Sequence, residues 1–362
     1  MKVMRTSQLV GLTLAGALAL TACGSGDNNT TPPASNAAGD CPTGSLSAQG
    51  STFQANAELQ WAKDYATKCK GATVAYEGTG SGAGKSAFAN STADFGGTDS
   101  LPKDEEQAAA DKRCGTGNKA IVTPIVAGAV VLTYKLDGVD KLTLDATTVA
   151  KIFSGKITTW DDAAIKALNA GVTLPGTKIV PIHRQDKSGT TKILSSWLGK
   201  NVASDWTLPA EETLTWPVGQ SAKGSDGVTG AVAGAKGGIT YTELSFAKAQ
   251  SLPVADIKNA AGTVVTPNAT SVSAALKTAE VDTSKGDIRV KPDYATTTAD
   301  AYPLSAPSYV LTCDKGNKGA ALLKGYLTYA LTDGTAALDG LGYAPLPDTI
   351  ATQAKTQVAA LS

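Results

Sequence analysis

The chain is short of the residues that most chemistry-bearing sites need. It has 362 residues and one histidine, His183, and none of its five cysteines forms a CxxC pair. Zinc-type ligation by spaced Cys and His is therefore excluded as an organising feature, and no metal or cofactor is expected. A hydrolytic enzyme would need a nucleophile with a general base, or a set of metal-spaced carboxylates, and neither pattern is visible. Charge of one sign is lacking too. Lys plus Arg and Asp plus Glu number 32 each, so no basic field exists to gather nucleic acid, and any anion must be captured locally. Long apolar runs are missing as well. Leu9 to Leu20, apolar or small throughout, falls short of the ~20 residues a membrane-spanning helix requires. No repeat of fixed period is present.

That short apolar run follows Lys2 and Arg5 and ends in Leu20-Thr21-Ala22-Cys23, the pattern of an exported lipoprotein's leader. Residues 1–22 are expected to be a signal peptide. Cys23 would become the lipidated N-terminus, anchoring the protein to the membrane's outer face. Residues 24–40 hold nothing larger than Asn, Asp, Thr or Pro and would form a flexible tether. Setting Lys2 and Arg5 aside leaves 30 basic against 32 acidic side chains. In an oxidising compartment the remaining Cys41, Cys69, Cys114 and Cys313 admit three pairings. Placement favours Cys41–Cys69 at one end of a first sheet and Cys114–Cys313 beside two apolar strands.

What is present is a strand, Thr177 to Pro181, running through Ile182-His183-Arg184-Gln185-Asp186-Lys187-Ser188-Gly189-Thr190-Thr191 into helical spacing from Lys192 to Leu198. It delivers a guanidinium, a carboxylate, hydroxyls and a glycine to a helix start, where free N–H groups and the helix dipole favour an anion. Arg adds a planar fork suited to tetrahedral oxyanions. His183 should point to the opposite strand face from Arg184. Two other turns carry similar equipment, Ser51-Thr52-Phe53 and Ser81-Gly82-Ala83, and the short strand Asp94 to Asp99 carries a carboxylate at its far end. Gly84-Lys85-Ser86 matches the end of a nucleotide P-loop, but Thr79 stands where its first glycine belongs, so a nucleotide site is not expected.

The rest of the chain alternates strands and helices in βαβαβ order, which predicts an open α/β sheet with ligand chemistry at the carboxyl ends of its strands. In the first helix Leu59, Ala62 and Ala66 lie on one stripe, and Trp61 stands four residues before Tyr65. Ile121 to Tyr134 reads as one long strand crossing between domains, Asp145 to Phe153 and Asp161 to Leu168 as helices, and Val228 to Ala235 as helix before the strand Gly238 to Tyr241. Ser308 to Thr312 reads as strand and Gly319 to Leu331 as helix. Phe53, Trp61, Trp160 and Trp216 are assigned to packing.

Taken in order, Gln49 to Phe53, Tyr76 to Gly82, Asp94 to Asp99, Gly155 to Ile157, Trp160 to Asp162, Arg184 to Thr190 and Leu341 to Pro347 resemble the phosphate-binding lipoproteins and periplasmic proteins that feed ABC transporters. The resemblance runs from about Leu46 to Pro347. It implies an α/β, two-lobed periplasmic-binding-protein fold with a ligand cleft between lobes, formed by residues 41–125 plus 304–362 and by residues 126–303. It implies phosphate ligands at Thr52, Phe53 (through its backbone), Ser81, Asp99, Arg184, Asp186, Ser188, Gly189 and Thr190. The partners it implies are inorganic phosphate, an ABC permease and its ATPase, with a monomeric, non-enzymatic binding protein as their supplier. Gln49, Ser51, Gln54 and Lys187 depart from the family's usual residues. A sensor or adhesive lipoprotein that binds phosphate without transport is the remaining alternative.

Overall fold

The structure is a computed structural model describing residues 41–362. The expected leader, lipidated Cys23 and tether lie outside the described residues. The first third comprises β1 (Gly44–Gly50), α1 (Ala55–Lys68), β2 (Ala72–Gly78), α2 (Ser81–Ala89), β3 (Phe95–Thr98), α3 (Asp104–Cys114) and β4 (Ala120–Tyr134). There follow β5 (Thr143–Asp145), α4 (Ala146–Phe153), α5 (Ala163–Leu168), β6 (Val180–Arg184), α6 (Gly189–Asn201), β7 (Gln220–Ala222), α7 (Gly224–Gly234), β8 (Gly238–Glu243) and α8 (Leu244–Ala249). Smaller elements then run from β9 (Asp256–Lys258) and β10 (Val264–Val265) through α9 (Ala269–Lys277), β11 (Glu280–Asp282) and β12 (Arg289–Lys291). The chain closes with β13 (Ser305–Cys313), α10 (Ala320–Leu331), α11 (Leu338–Leu341), β14 (Tyr343–Ala344) and α12 (Asp348–Ala359).

Strand order explains how one chain makes two halves. β2, β1 and β3 are parallel neighbours, and β13 runs antiparallel to β3. β4 is buried along its whole length. Its residues 120–129 pair with β13, and its residues 130–134 continue onto β8, which leads to β6 and β7. The β-branched run that reads as a crossing strand is thus a single strand shared by both halves. Gly50, Asp99 and Arg184 stand at or just beyond the carboxyl ends of β1, β3 and β6, where open α/β sheets place ligands.

Side-chain caps account for some helix starts. Asp145 caps α4, accepting from Thr148 N–H at 2.7 Å, and Asp162 caps α5, accepting from Ala164 N–H at 2.8 Å. α1 departs from expectation. Leu59 is 56% exposed, and the buried face instead runs through Ala55, Glu58, Trp61 and Tyr65. Trp61 and Tyr65 carry more apolar surface than Leu59 and the two alanines, so they set the rotation of the helix. Disulfides join Cys41 to Cys69 and Cys114 to Cys313, with Cα separations of 5.2 and 5.4 Å. The first ties the chain before β1 to the end of α1, and the second ties α3 to β13.

Rotating α1 this way buries a carboxyl. Glu58 is fully buried; its Oε2 accepts from Tyr326 Oη at 2.6 Å, while Oε1 has no partner. Burial pushes its pKa up to about 8, against a smaller lowering by the Tyr326 hydrogen bond. The folded chain therefore keeps a proton that the unfolded chain releases near pH 4.5, and stability contributed here falls as pH rises from about 4.5 to about 8. Glu58→Gln should flatten that decline, gaining roughly 2 kcal/mol over wild type at pH 9 and little at pH 4. Urea midpoints of the ligand-free protein at the two pH values check this; equal pH slopes in the two proteins would contradict it.

Candidate functional site

The carboxylate of Asp99, just beyond β3, is buried and surrounded by hydroxyls. Its Oδ1 accepts from Ser308 at 2.6 Å and from Ser51, and its Oδ2 accepts from Ser81 at 2.9 Å. A carboxylate offers about four lone-pair positions, so three donors leave one on Oδ2. Burial pushes the Asp99 pKa up to about 6, with the charge of Glu243 adding to it and the Ser308, Ser51 and Ser81 hydrogen bonds opposing it.

Arg184, at the end of β6 and 4% exposed, joins the same set through the start of α6, where Gly189 N–H meets Ser81 and Thr190 meets the guanidinium. Its Nε and Nη2 donate to the two oxygens of Asp186 at 2.8 and 2.5 Å, a bidentate pair. Its Nη1 donates to Ser225 at 3.1 Å and more distantly to Thr190 at 3.5 Å. Burial works against the guanidinium charge, but Asp186 outweighs it and holds the Arg184 pKa above its ordinary value. Burial likewise works against the Asp186 charge, and Arg184 more than reverses it, keeping that carboxyl below its usual range.

Four helix starts converge here. Ser188 caps α6, its hydroxyl accepting from Thr191 N–H at 3.2 Å. Gly189 N–H, at the first position of α6, donates to Ser81 Oγ at 3.2 Å, and Ser81 opens α2. Phe53 N–H, in the turn before α1, donates to Ser51 Oγ at 2.9 Å. Thr52 Oγ1 lies 2.7 Å from Ser225 Oγ at the start of α7. All nine residues expected from the sequence, Thr52, Phe53, Ser81, Asp99, Arg184, Asp186, Ser188, Gly189 and Thr190, lie in this linked set. In the described arrangement the amides of Phe53 and Gly189 are engaged by serine hydroxyls, and the Thr190 hydroxyl donates to Glu243 at 2.5 Å.

The close fit depends on missing side chains. A Cβ on Gly189 would lie 2.6 Å from Asp99 Oδ2, and one on Gly80 would lie 2.4 Å from Asp186 Oδ2. Gly80 also has φ of +100°, which disfavours any L side chain. The glycine-rich turn that resembles a P-loop ending thus lets the Asp186–Ser188 segment lie against it, with Gly82 N–H donating to Lys187 O at 3.1 Å.

Three members escaped the sequence reading. Ser225 was missed because α7 begins at Gly224, four residues before the Val228 start expected from apolar spacing. Its Gly-Ser pairing at a helix start repeats that of Gly80-Ser81 and could have found it. Ser308 lies in the middle of fully buried β13, and Glu243, 1% exposed, ends β8. A hydroxyl or carboxylate inside an apolar strand needs a partner, which is a signal of a site though not of its place. His183 stacks on Trp216 with ring centroids 4.9 Å apart, on the far side of β6 from the guanidinium. No group of three or more His, Cys, Asp or Glu capable of holding a metal occurs among the described residues.

The arrangement can hold a tetrahedral oxyanion between helix-start N–H groups, one guanidinium and a carboxylate that accepts a proton from it. Comparison with known proteins gives the same kind of molecule. A PBP superfamily domain model matches residues 35–334. Phosphate-binding protein PstS 3 of Mycobacterium tuberculosis is 37% identical over 372 aligned residues that cover all of both chains. Phosphate-binding protein PstS of Xylella fastidiosa is 35% identical, covering 90% of this chain and 87% of its own. Among solved structures, a phosphate-binding protein from Stenotrophomonas maltophilia superposes with a TM-score of 0.68 at 20% identity, over 86% of this chain and 93% of that one, a likeness of fold.

Proposed function

Because the chain belongs to the PstS family of phosphate-binding proteins, within the periplasmic-binding-protein superfamily, we propose that its cleft captures inorganic phosphate outside the cytoplasm and passes it to an ABC-type permease for import. The observation that carries this reading is the pairing of opposites in one buried site. Asp99 keeps one acceptor position free at Oδ2, against the α6 start that follows the Arg184–Asp186 pair in the chain. Phosphate near neutral pH brings both the negative charge that Arg184 and the helix starts favour and a proton that Asp99 accepts.

Under this reading Arg184 supplies the one full positive charge, and Asp186 fixes its plane. Thr52, Ser81, Ser188 and Ser225 are the hydroxyl donors. The N–H groups of Phe53, Gly189 and Thr190 complete the shell once Ser51 and Ser81 reorient, Ser81 then giving its single proton to the ion instead of to Asp99 Oδ2. Residues 41–125 with 304–362 act as one lobe and residues 126–303 as the other. They close on the ion by a population shift driven by contacts from both sides. Lipid at Cys23 would hold a monomer near the permease, a step supported by Leu20-Thr21-Ala22-Cys23.

Titration calorimetry with phosphate, sulfate and a phosphate monoester tests the proposal. Tight, one-to-one binding of phosphate alone, with no release of alcohol from the ester over many hours, is the expected result. Equal affinity for sulfate, or steady multiple turnover of the ester, would contradict it. Gly189→Ala should fold normally yet bind phosphate at least about tenfold more weakly, since its new methyl would meet Asp99 and Ser81. Calorimetry with a parallel urea titration separates that loss from instability.

A further inference from the structure

We infer that Glu212 is a positioning residue that sets phosphate affinity from outside the ion site, by pairing across the two halves with the buried Lys85; the inference rests on the phosphate-capture reading. Lys85 sits in α2, one turn past Ser81, in the Gly84-Lys85-Ser86 stretch that ends like a nucleotide loop without being one. It is 4% exposed. Its Nζ lies 2.8 Å from Glu106 Oε2, 3.0 Å from Glu212 Oε1 and 3.4 Å from Ser100 Oγ. Glu106 belongs to α3, in the same half as Lys85. Glu212 belongs to the segment after α6, in the other half, and its carbonyl accepts from Ser188 N–H at 3.0 Å. The Glu212 side chain therefore travels with the start of α6. Ser100, next to Asp99, donates to the same Glu212 oxygen. Lys103 and Glu211, partly exposed, form a second cross-half pair at 2.7 Å on the outside of this one. No hydrogen bond joins the side chain of Lys85 or Glu212 to Asp99 or Arg184 among the described residues.

A lysine buried this deeply is costly unless carboxylates surround it. Glu106 meets part of that need in either state, but Glu212 does so only when the halves come together. Closing then exchanges the hydration of Lys85 and Glu212 for their pairing, with Glu106 and Ser100 holding the ammonium and the carboxylate in place. With Glu212 neutral, the same closure would still bury Lys85 but leave it less compensated. The closed form would be less populated, and apparent phosphate affinity falls by the factor lost from that population. Because neither group reaches the ion, discrimination between anions should not change.

Glu212→Gln keeps the size of the side chain and its acceptor for Ser100 while removing the charge. The expected result is a phosphate Kd raised about tenfold, mostly through faster dissociation, with an unchanged phosphate-to-sulfate ratio and an unchanged urea midpoint without phosphate. Lys85→Met should act similarly, and combining the two should cost less than the sum of their separate effects. A Kd within twofold of wild type, additive losses in the double variant, or a ligand-free midpoint that drops along with affinity would overturn the inference, the last by making the pair merely structural. Wild-type protein that binds no phosphate would remove the functional reading itself. Tight wild-type binding with an indifferent Glu212→Gln removes only this inference.

Discussion

Arg184→Ala is expected to bind phosphate about 30- to 1000-fold more weakly than wild type, a loss of roughly 2–4 kcal/mol. Among the described residues the guanidinium is the one cation hydrogen-bonded within a site that also holds the buried Asp99 and Glu243 and the half-buried Asp186. Removing it takes one charge from the ion and strips Asp186 of both oxygen partners except Gly224 N–H, 3.0 Å from Oδ1. Ser225 and Thr190 lose a donor at the same time. The ion would then enter a pocket lined by carboxylates and held only by hydroxyls and helix starts. Arg184→Lys should recover little, because a single ammonium cannot grip Asp186 through two parallel hydrogen bonds while reaching Ser225. Calorimetry measures both variants, and a urea midpoint without phosphate guards against misfolding. Binding within threefold of wild type in Arg184→Ala would place the guanidinium outside the site.

The imbalance of charge says how an anion is held at all. With one guanidinium against Asp99, Asp186 and Glu243, the proposed capture would draw most of its attraction from N–H groups at the starts of α1 and α6, fixed dipoles that need no counter-ion. This is also why so much of the site was legible in the sequence. A helix start built from small hydroxylic residues after a strand is a local pattern, complete within ten residues, and Ser81 and Ser188 both stand where that pattern puts them. The crossing strand was legible for a similar reason: Ile121 to Tyr134 is apolar on both faces because both faces are covered.

What the sequence concealed depends on pairings between distant segments. Ser308 reaches Asp99 because β13 runs antiparallel to β3 in a register that sets Tyr309 against Thr98. Glu243 reaches Thr190 because β8 lies beside β6, with Ile239 against Pro181. No spacing within either strand encodes those partners. The rotation of α1 was hidden for a different reason. A stripe of Leu59, Ala62 and Ala66 fits helical periodicity as well as the true face does, and only packing against β2 and α10 favours the aromatic side. That choice buries Glu58 beneath Tyr326, so a misread stripe and an unpaired carboxyl have one cause.

The second large effect concerns the choice of anion. Asp99→Asn should leave phosphate binding weakened but measurable while raising sulfate affinity, so that the preference narrows by about two orders of magnitude or more. In wild type, sulfate has no proton to give at neutral pH. Its oxygen would face the remaining lone pair of Asp99 Oδ2 in a buried site, two acceptors with nothing between them, at a cost of several kcal/mol. An asparagine amide turned toward the ion supplies the missing hydrogen to either anion, and the hydroxyls of Ser51, Ser81 and Ser308 can reorient around it because each both donates and accepts. The same logic gives a pH dependence without mutation. With the Asp99 pKa raised to about 6, the carboxyl gains a proton as pH falls below that value and becomes a donor to sulfate. Discrimination should therefore be high at pH 8, diminish toward pH 5 in wild type, and stay low at both in Asp99→Asn. Competition calorimetry at the two pH values reads this directly; a preference for phosphate that survives both the substitution and acid would mean that some group other than Asp99 senses the proton on the ion.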